Sequence, residues 1–431
     1  MFALGFDLVT SGARASALNQ AQEIVAQAKY TFAQGEVSDP AAWQQTLWFL
    51  LNSIDISVRT RLSRIAINGT SATVLLCDRH NTPLTPVLLY NNKAARSALS
   101  PVQQVAPAGS PTLSATSSLV KALWWQDTLA TDIQNQVSLL CHQSDWVAAQ
   151  LHHQTPVSDY HNALKLGYDV RSLQYPDWLL SLPIAGWLPA VREPGSVVAP
   201  VTSSVTRQFS IPAECLVCAG TTDSIAAFMA SGAVTPGEAV TSLGSTLVLK
   251  VLSDVPIDHS DFGIYSHRIG DLWLVGGASN TGGAVLKRYF SDEAIAQLSD
   301  KIDLSKSCEL DYYPLNSPGE RFPINDPDYL PRLVPRPERD IDFLYGILSA
   351  IARIETTGYQ TLQSLGAPDV ERVYTAGGGA KNVNWQHLRQ QCLKKEVTIA
   401  KNTQAAYGTA KLALEGLNAY KKAAFSSKFG H

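Results

Sequence analysis

Apolar residues alternate with small or polar residues over two segments of the chain, and a tight turn interrupts each segment. Residues 2–18 predict two strands around Thr10-Ser11-Gly12, and residues 239–252 predict two strands around Gly244-Ser245-Thr246. Apolar strands separated by Gly- and Ser-containing turns are typical of β-hairpins. Because one hairpin opens the chain and a similar one follows its midpoint, the pattern predicts an internal duplication in which each half begins on its own hairpin.

The remaining pattern alternates short apolar runs with helical periodicity. In residues 341–365, Phe343, Ile347 and Ile351 share one helical face, which predicts a helix. Gly366 follows and is expected to end this helix. A last helix is predicted to open near residues 402–403, and the proline-rich residues 323–337 predict an irregular surface segment. Alternation of strands and helices predicts an α/β fold. The other predicted strands are residues 64–68, 74–77, 215–219, 272–275, 372–375 and 397–400.

Composition narrows the class of protein. The 431 residues exceed one compact core, so two large domains are expected. A hydrophobic fraction of 45% and a net charge of −3 predict a globular enzyme without general attraction to nucleic acid or anionic membranes. No run of about 18 apolar residues is present, which argues against a membrane-spanning helix. Residues 1–9 lack a positive n-region and predict a strand rather than a signal peptide.

Six scattered cysteines include one C-x-x-C pair, Cys215 and Cys218. This spacing is compatible with redox chemistry or half of a zinc site, but a second pair at metal-ligand spacing is missing. We therefore expect two reduced thiols in or beside a buried strand, which fits a reducing cytoplasm. The nine histidines form no ligand cluster and are interpreted as structural or solvated.

Four glycine- or hydroxyl-rich turns stand at the ends of predicted strands. They are Thr10 to Gly12, Gly244 to Thr246, residues 276–283 and Gly377 to Gly379. Backbone N–H groups in such turns form concave anion sites, and small side chains let phosphate oxygens approach. Neither the P-loop spacing nor a full dinucleotide-binding fingerprint is present. A nucleotide held by paired hairpins is the remaining interpretation.

These segments resemble the motifs of FGGY carbohydrate kinases. Residues 4–14 resemble the first phosphate motif, and residues 220–227 resemble the catalytic Gly-x-x-Asp block. Gly244 to Thr246 resembles the second phosphate hairpin, and residues 376–382 resemble the adenosine motif, followed by a helix at residues 405–410. The landmarks occur in family order, so the resemblance covers nearly the whole chain. Smaller matches are residues 69–73, Lys121 with Trp124, residues 158–159 and residues 162–163.

The resemblance implies two ribonuclease-H-like (actin-like ATPase) domains with a catalytic cleft between them. Residues 1–229 with 405–431 would form the sugar-binding domain, and residues 230–404 the nucleotide-binding domain. Residues 11–14 (SGAR) and 167–169 (GYD) are most similar to the short cyanobacterial and plant pentulose kinases, which resemble xylulokinases and whose acceptor is D-ribulose. ATP, Mg²⁺ and a pentulose are the implied ligands, and the protein is expected to be cytoplasmic, a monomer or a weak homodimer.

Phosphoryl transfer requires alignment of the nucleophile and neutralisation of phosphate charge. Asp223 follows an apolar strand and opens a small-residue helix, where the helix N-terminus favours the ionised carboxylate that a general base needs. A plain helix cap is the alternative role. By resemblance, Asp223, Asp7 and Thr10 form the catalytic set, and Asp7 and Asp223 would hold Mg²⁺ directly or through water.

The resemblance also implies the ligand contacts. Those for the substrate are Asp7, Ser11, Gly12, Ala13, Arg14, Ser71 and Asp223. Those for ATP are Thr10, Gly244, Ser245, Thr246, Gly282, Gly377, Gly378, Gly379, Ala380, Lys381, Asn382 and Trp385. For Trp385, stacking on adenine and a place in the core are equal alternatives.

Two positions depart from the family pattern. Val9 replaces a glycine in the first phosphate motif, which predicts either a strained turn or an ordinary β conformation without cost. Asn92 stands where many members have an aspartate, so a neutral amide replaces the carboxylate that would grip a sugar hydroxyl. Both departures keep one alternative function open: a catalytically weak or inactive sugar- or nucleotide-binding paralogue of the same fold.

Overall fold

The computed structural model describes residues 1–429; residues 430 and 431, which the predicted sugar-binding domain includes, lie outside the described residues. The chain divides into two compact units. Unit 1 comprises Met1–Ala230 and Gln404–Ala419, and unit 2 comprises Ser231–Thr403 and the chain from Tyr420 onward. Each unit contains its own large sheet.

The first part of unit 1 contains strands β1 (Phe2–Val9), β2 (Gly12–Leu18), β3 (Ile24–Thr31), β4 (Leu62–Gly69), β5 (Val74–Cys77), β6 (Leu139–His142), β7 (Ser158–Asp159), β8 (Val191–Arg192), β9 (Val197–Pro200), β10 (Leu216–Cys218) and β11 (Thr221–Thr222). Its helices are α1 (Pro40–Ser53), α2 (Ile56–Arg59), α3 (Leu99–Val105), α4 (Ser118–Thr128), α5 (Thr131–Gln134), α6 (Gln143–His152), α7 (Tyr160–Ala163), α8 (Asp177–Leu180), α9 (Ser203–Phe209) and α10 (Asp223–Ser231). Short 3₁₀ turns occur at Glu36–Ser38, Ala94–Ala98, Leu164–Leu166 and Pro183–Trp187.

Unit 2 contains strands β12 (Glu238–Leu243), β13 (Leu247–Ser253), β14 (His267–Ile269), β15 (Leu272–Ser279), β16 (Arg372–Ala376) and β17 (Glu396–Ile399). Its helices are α11 (Gly283–Tyr289), α12 (Asp292–Ser299), α13 (Asp340–Ser364) and α14 (Val383–Leu393), with a 3₁₀ turn at Gly378–Lys381. The chain ends with α15 (Ala405–Glu415), which belongs to unit 1, and α16 (Asn418–Phe429).

The two large sheets repeat one topology. In unit 1 the order is β3-β2-β1-β4-β10-β9, with β11 also paired to β4; in unit 2 it is β14-β15-β13-β12-β16-β17. The series β3-β2-β1-β4-β10 and β15-β13-β12-β16-β17 both begin with two antiparallel pairings and end with two parallel ones. The predicted duplication, with a hairpin at the start of each half, and the predicted α/β fold are confirmed.

Helices cover both faces of the sheet in unit 1. Leu4, Phe6 and Leu8 of β1 pack in a core with Trp43 of α1 and Trp146 of α6. Because successive side chains of a strand point to opposite faces, the odd-numbered residues of β1 face the other side. This alternation aligns β1 so that Asp7, at its end, faces away from the α1–α6 core.

The opposite face of β1 lies against α15. Ala3 packs in a small cluster with Ala413 of that helix. A Cβ atom at Gly5 would lie 2.1 Å from the backbone nitrogen of Ala410, so glycine at this position lets the helix lie directly on the strand. Asp7 therefore lies on the face of the sheet that α15 covers.

The long helix α13 organises the core of unit 2, where Phe343, Ile347 and Ile351 are buried as the periodicity predicts.

The last predicted helix begins at Ala405 rather than near residues 402–403. The exposed, partly polar edge strand β3 was not predicted. Residues 323–337 contain neither helix nor strand, as predicted. Within residues 1–429, no helix combines the length and apolarity that crossing a membrane requires.

Candidate active site

Asp7 and Asn68 stand side by side at the ends of two parallel strands of unit 1. They are register partners on β1 and β4. Both are buried on the face that α15 covers, where the Asn68 Nδ2 donates to Thr409 Oγ1 at 2.6 Å. The carboxyl ends of parallel strands are where open α/β sheets place their ligands. The structure therefore places Asp7 where a ligand site is expected.

Asp223 comes to the same edge of the sheet through β11. This two-residue strand pairs parallel with the end of β4, with Thr221 opposite Asn68 and Thr222 opposite Gly69. Asp223 follows as the first residue of the nine-residue helix α10, and its Oδ1 accepts a hydrogen bond from the Ser224 backbone nitrogen at 2.7 Å. A helix N-terminus stabilises an ionised carboxylate. Asp223 is half-buried, as a base that must reach a bound hydroxyl would be.

Close contact between helices fixes the direction of α10. A Cβ atom at Gly408 of α15 would lie 1.9 Å from the carbonyl oxygen of Ala226. Only glycine permits this approach of the two backbones. The position of Asp223 is therefore set by the β11–β4 pairing at one end of the segment and by α15 one turn later.

The electrostatics of Asp7 distinguish it from a surface carboxylate. Burial, and then the negative charge of Asp223, raise the pKa of Asp7 to about 6, against the lowering effects of Arg14 and Asn68. Arg14 is the cross-strand partner of Asp7, and its Nη1 lies 3.7 Å from the Asp7 Oδ2. The Asp7 Oδ1 is buried and has no hydrogen-bond partner among residues 1–429. A buried, unsatisfied carboxylate oxygen points to a cation or a donor supplied by a ligand.

The β1–β2 turn leaves Thr10 and Ser11 exposed, as a ligand-binding turn requires. Val9 is the last residue of β1 and pairs with Gly12, so it has the ordinary β conformation that was one of its two alternatives. The positive φ of this turn, 146°, belongs to Gly12. The valine is therefore accommodated in the turn.

The predicted substrate contacts divide into exposed and buried residues. Ser71 is half-buried in the turn after β4, and the Arg14 side chain is 50% exposed. Ala13, in contrast, is buried in the core, and its backbone lies between β1 and β3. We therefore remove Ala13 from the candidate substrate contacts, because the pairing of β2 on both sides leaves it no group to direct at a ligand.

The predicted metal ligands fit a cation that is shared with a substrate. Asp7 and Asp223 are close enough for the charge of one to affect the other, and no described residue donates a hydrogen bond to the Asp7 Oδ1. Among residues 1–429, no group of three His, Cys, Asp or Glu side chains could enclose a metal ion. Mg²⁺ is commonly held by one or two carboxylates together with substrate phosphates and water, which this arrangement allows.

In unit 2, three turns predicted to bind ATP converge at the end of β12. The Gly283 nitrogen donates to the Gly244 carbonyl at 2.8 Å, next to Gly282. A Cβ atom at Gly377 would lie 2.6 Å from the carbonyl oxygen of Leu243, and φ at Gly377 is +83°. Glycine is required where backbones approach this closely. The turns Gly244-Ser245-Thr246, Gly282-Gly283 and Gly377-Gly378-Gly379 therefore form one structure, which we name the glycine cradle.

The residues that follow the glycine cradle in the chain pack against it or make hydrogen bonds within unit 2. The Asn382 side chain caps α14 by accepting from the Trp385 backbone nitrogen at 2.9 Å, and its Nδ2 donates to Ser299 Oγ. The indole of Trp385 is buried in the core, and its Nε1 donates to the carbonyl of Leu348. We therefore remove Trp385 as an adenine-stacking residue, since its ring fills the space under Gly379. Ala380 is buried, whereas Lys381 is exposed.

Two groups near Asp223 were not predicted as site residues. Asn68 is one, although a polar residue ending a buried apolar strand is a usable signal. The other is His161, whose Nδ1 lies 2.7 Å from Thr221 Oγ1 and whose backbone nitrogen donates to Asp159. Burial raises the pKa of Asp159 to about 6. The contacts of Asp159 and His161 hold Thr221 of β11 in place. They form only in the folded chain, so local sequence does not reveal them.

Two models of one protein family together match most of the chain. The N-terminal domain of the FGGY family of carbohydrate kinases matches residues 2–230, and the C-terminal domain of that family matches residues 239–416. A xylulose kinase of Staphylococcus epidermidis is 22% identical over 444 residues, covering 97% of this chain and 88% of that protein. A gluconokinase of Bacillus subtilis is 21% identical over 384 residues, covering 80% of this chain and 72% of that protein.

Solved structures show the same fold. The crystal structure of a xylulose kinase from Brucella ovis has a TM-score of 0.83 and 20% sequence identity, covering 100% of this chain and 99% of that one.

Proposed function

The chain belongs to the FGGY family of carbohydrate kinases, and from that premise we propose that it transfers the γ-phosphate of ATP to a hydroxyl group of a pentulose, D-ribulose. The xylulose kinase and gluconokinase relatives support a sugar or sugar-acid acceptor. The choice of D-ribulose is supported by residues 11–14 and 167–169, which are most similar to the short pentulose kinases.

One observation carries the proposal: Asp223 opens α10 beside the ends of β1 and β4, close enough to the buried Asp7 to raise its pKa. A hydroxyl group is a weak nucleophile until a positioned base begins to remove its proton. Asp223 is half-buried and within reach of a ligand, at a helix N-terminus, which favours a negatively charged side chain. A plain helix cap would not explain its place beside a second, unsatisfied carboxylate.

The proposed step is an in-line displacement. The acceptor hydroxyl oxygen forms a bond to the γ-phosphorus, while the bond from that phosphorus to the bridging oxygen of ADP breaks. The hydroxyl proton passes to a carboxylate oxygen of Asp223, and the electron pair of the broken bond leaves with ADP. Asp223 orients the hydroxyl and holds this proton. The exposed Ser11, Arg14 and half-buried Ser71 offer donors to the other sugar oxygens.

Asp7 and Asp223 would hold Mg²⁺, directly or through water, together with phosphate oxygens. When bound, the ion would neutralise charge on the phosphates. The unsatisfied Oδ1 of Asp7 supports this assignment. The guanidinium of Arg14 holds the other side of the Asp7 carboxylate at 3.7 Å, which orients Oδ1 for such a contact.

We assign the phosphates and adenosine of ATP to unit 2, at the glycine cradle. Gly378 has open space above its Cα, and Ser245 and Gly377 are exposed. Open backbone with small side chains is what phosphate oxygens need for close approach. Thr10, exposed in the β1–β2 turn of unit 1, is proposed as a further phosphate donor.

A weak or inactive paralogue is the second candidate function, and Asn92 favours it. The Asn92 Oδ1 accepts a hydrogen bond from the Ala94 backbone nitrogen at 2.8 Å. This side-chain oxygen is therefore already engaged within its own segment of the chain. Val9 no longer supports this candidate, since it lies in an ordinary strand.

An ADP-release assay coupled to NADH oxidation, run over D-ribulose, D-xylulose, L-ribulose, D-gluconate and glycerol, separates the candidates. The proposal expects sugar-dependent ADP release with the highest kcat/KM for D-ribulose. Sugar binding measured by calorimetry without ADP release would instead establish the inactive paralogue. A preference for D-gluconate or glycerol would overturn the pentulose assignment and leave the kinase intact.

A further inference from the structure

Unit 1 contains a buried lysine that pairs with no carboxylate in the described part of the chain. The Lys121 side chain, in α4, is 0% exposed, and among the described residues its Nζ donates only to backbone carbonyls. Burial, and then the positive charge of Lys165, lower the pKa of Lys121 to about 7. A buried cation is costly unless its surroundings replace its hydration. The contacts of this ammonium group therefore call for an explanation beyond the packing of α4.

Its partners belong to two different turns. The Nζ lies 2.7 Å from the carbonyl oxygen of Ala72 and 2.7 Å from that of Leu89, with the Leu88 carbonyl at 3.5 Å. Ala72 has a positive φ of 63°, a conformation that a non-glycine residue rarely adopts. The ammonium holds the carbonyl of this unusual turn and the carbonyl of the second turn at the same time.

The first turn carries Ser71, which the proposed acceptor site uses, and the second carries Asn92, which stands where many members of the family have an aspartate that grips a sugar hydroxyl. Ser71 directly precedes Ala72. The Leu89 carbonyl that binds Lys121 also accepts from the backbone nitrogen of Asn92 at 2.9 Å, which closes the second turn. We name these segments the Ser71 turn (residues 70–73) and the Asn92 turn (residues 89–92).

Other hydrogen bonds join the two turns at their bases. The Tyr90 nitrogen donates to Thr73 Oγ1 at 3.0 Å, and Val74 and Leu88 exchange two backbone hydrogen bonds of 3.1 and 2.9 Å. Carbonyl oxygens that converge on one point repel each other unless a donor lies between them. Lys121 supplies three donors at that point, so its ammonium sets the separation of the two turns.

We propose that Lys121 is a positioning residue that fixes the Ser71 turn against the Asn92 turn and thereby sets which sugar the acceptor site selects. This inference rests on the proposed function, since it takes both turns as part of the acceptor site. A displacement of about 1 Å in a positioning group is enough to cost on the order of a hundredfold in rate. Lys121 acts through the turns and touches no reacting atom.

The first test measures the turns themselves. In Lys121→Met, amide hydrogen exchange of peptides covering residues 70–73 and 88–92 is expected to accelerate about tenfold in the ligand-free protein. Lys165→Met is the matched control, because it removes a neighbouring lysine and leaves the carbonyl contacts in place. Unchanged exchange in Lys121→Met would overturn the proposal, and this readout does not depend on activity. If Lys121→Met does not fold, Lys121→Gln, which keeps an N–H donor, takes its place.

The second test measures selectivity. The KM for D-ribulose is expected to rise about tenfold or more in Lys121→Met, while the KM for ATP stays within about twofold. The ratio of kcat/KM for D-ribulose to that for D-xylulose is expected to move toward one. A fall in kcat alone, with both KM values and the ratio unchanged, would show a merely structural lysine. If none of the sugars causes the parent protein to release ADP, the proposed function fails. The affinities of D-ribulose and D-xylulose, measured by calorimetry, then replace the KM values in this test.

Discussion

Arg14 and Asp7 face each other across β2 and β1, and the guanidinium, half exposed, lies 3.7 Å from a carboxylate that is almost fully buried. This contact does not offset the burial of Asp7, because burial and the charge of Asp223 together raise the pKa of Asp7 to about 6. The ionised carboxylate therefore reduces the stability of the ligand-free protein.

The sign of the resulting pH dependence follows from that shift. The pKa of Asp7 is about 4 in the unfolded chain and about 6 in the folded protein, so the unfolded chain loses the proton first as the pH rises. The free energy of unfolding therefore falls between about pH 4 and about pH 6. Above pH 6 the full cost is present. Asp7→Asn is therefore expected to raise the unfolding free energy of the metal- and nucleotide-free protein at pH 7.5 by about 1–3 kcal/mol, with the gain shrinking toward pH 4. Thermal melts across this pH range check it, and a variant less stable than the parent at pH 7.5 contradicts it.

Asp223→Asn is expected to lower kcat by about 10²–10⁴, the usual contribution of a general base, with the KM for ATP nearly unchanged. The carboxamide keeps the acceptor of the hydrogen bond from Ser224 and removes the basicity. Steady-state kinetics with the best sugar of the panel measure the effect.

The matched control for Asp223 is Asp177→Asn. Asp177 is also the first residue of a helix, α8, but it is exposed. The Asp177→Asn variant is expected to keep the kcat of the parent protein. An Asp223→Asn protein that retains more than about a tenth of the parent kcat would remove Asp223 from the mechanism.

Val9→Gly is expected to leave kcat/KM for ATP unchanged or lower, and to reduce stability by about 0.5–1 kcal/mol because glycine weakens a strand. Val9 ends β1 in an ordinary conformation, so no strain exists for glycine to relieve. Kinetics and thermal melts of this one variant are sufficient. A several-fold gain in kcat/KM would show that the valine does impair nucleotide use.

Two neighbouring glycines of the cradle are expected to respond differently to alanine. A Cβ atom at Gly379 would lie 2.7 Å from Leu243 Cβ and from Trp385 Cζ3, whereas one at Gly378 would meet nothing within 4 Å. Gly379→Ala should therefore lower the melting temperature by overpacking, at a cost of about 1–3 kcal/mol.

Gly378→Ala should melt like the parent and raise the KM for ATP several-fold, because its methyl group would occupy the open space assigned to phosphate. Melting temperature and KM are measured on both variants. If Gly378→Ala leaves the KM for ATP unaltered, the nucleotide does not approach the cradle at this residue.

Much of the candidate site could be predicted from local sequence. Asp223 follows an apolar strand and opens a helix, and Gly377 to Gly379 follow another strand; both patterns are visible within about ten residues. For Trp385 the structure shows the core alternative, and Ala13 is buried rather than open to a ligand, because motif membership does not state which side of a strand or helix a residue faces. Ala13 lies in a strand paired on both sides, and Trp385 points into the core.

The sequence by itself determined the two hairpins, the α/β alternation, the duplication and the order of the motifs, since these depend on period and turn chemistry. Tertiary structure alone decided which distant residues meet. Asn68 lies beside Asp7, and His161 behind Thr221, through strand register and packing across 61 and 60 residues of chain. The single ammonium of Lys121 joins carbonyls 49 and 32 residues away. Such contacts follow from the folding of the whole unit, because buried polar groups must find partners wherever the fold brings them.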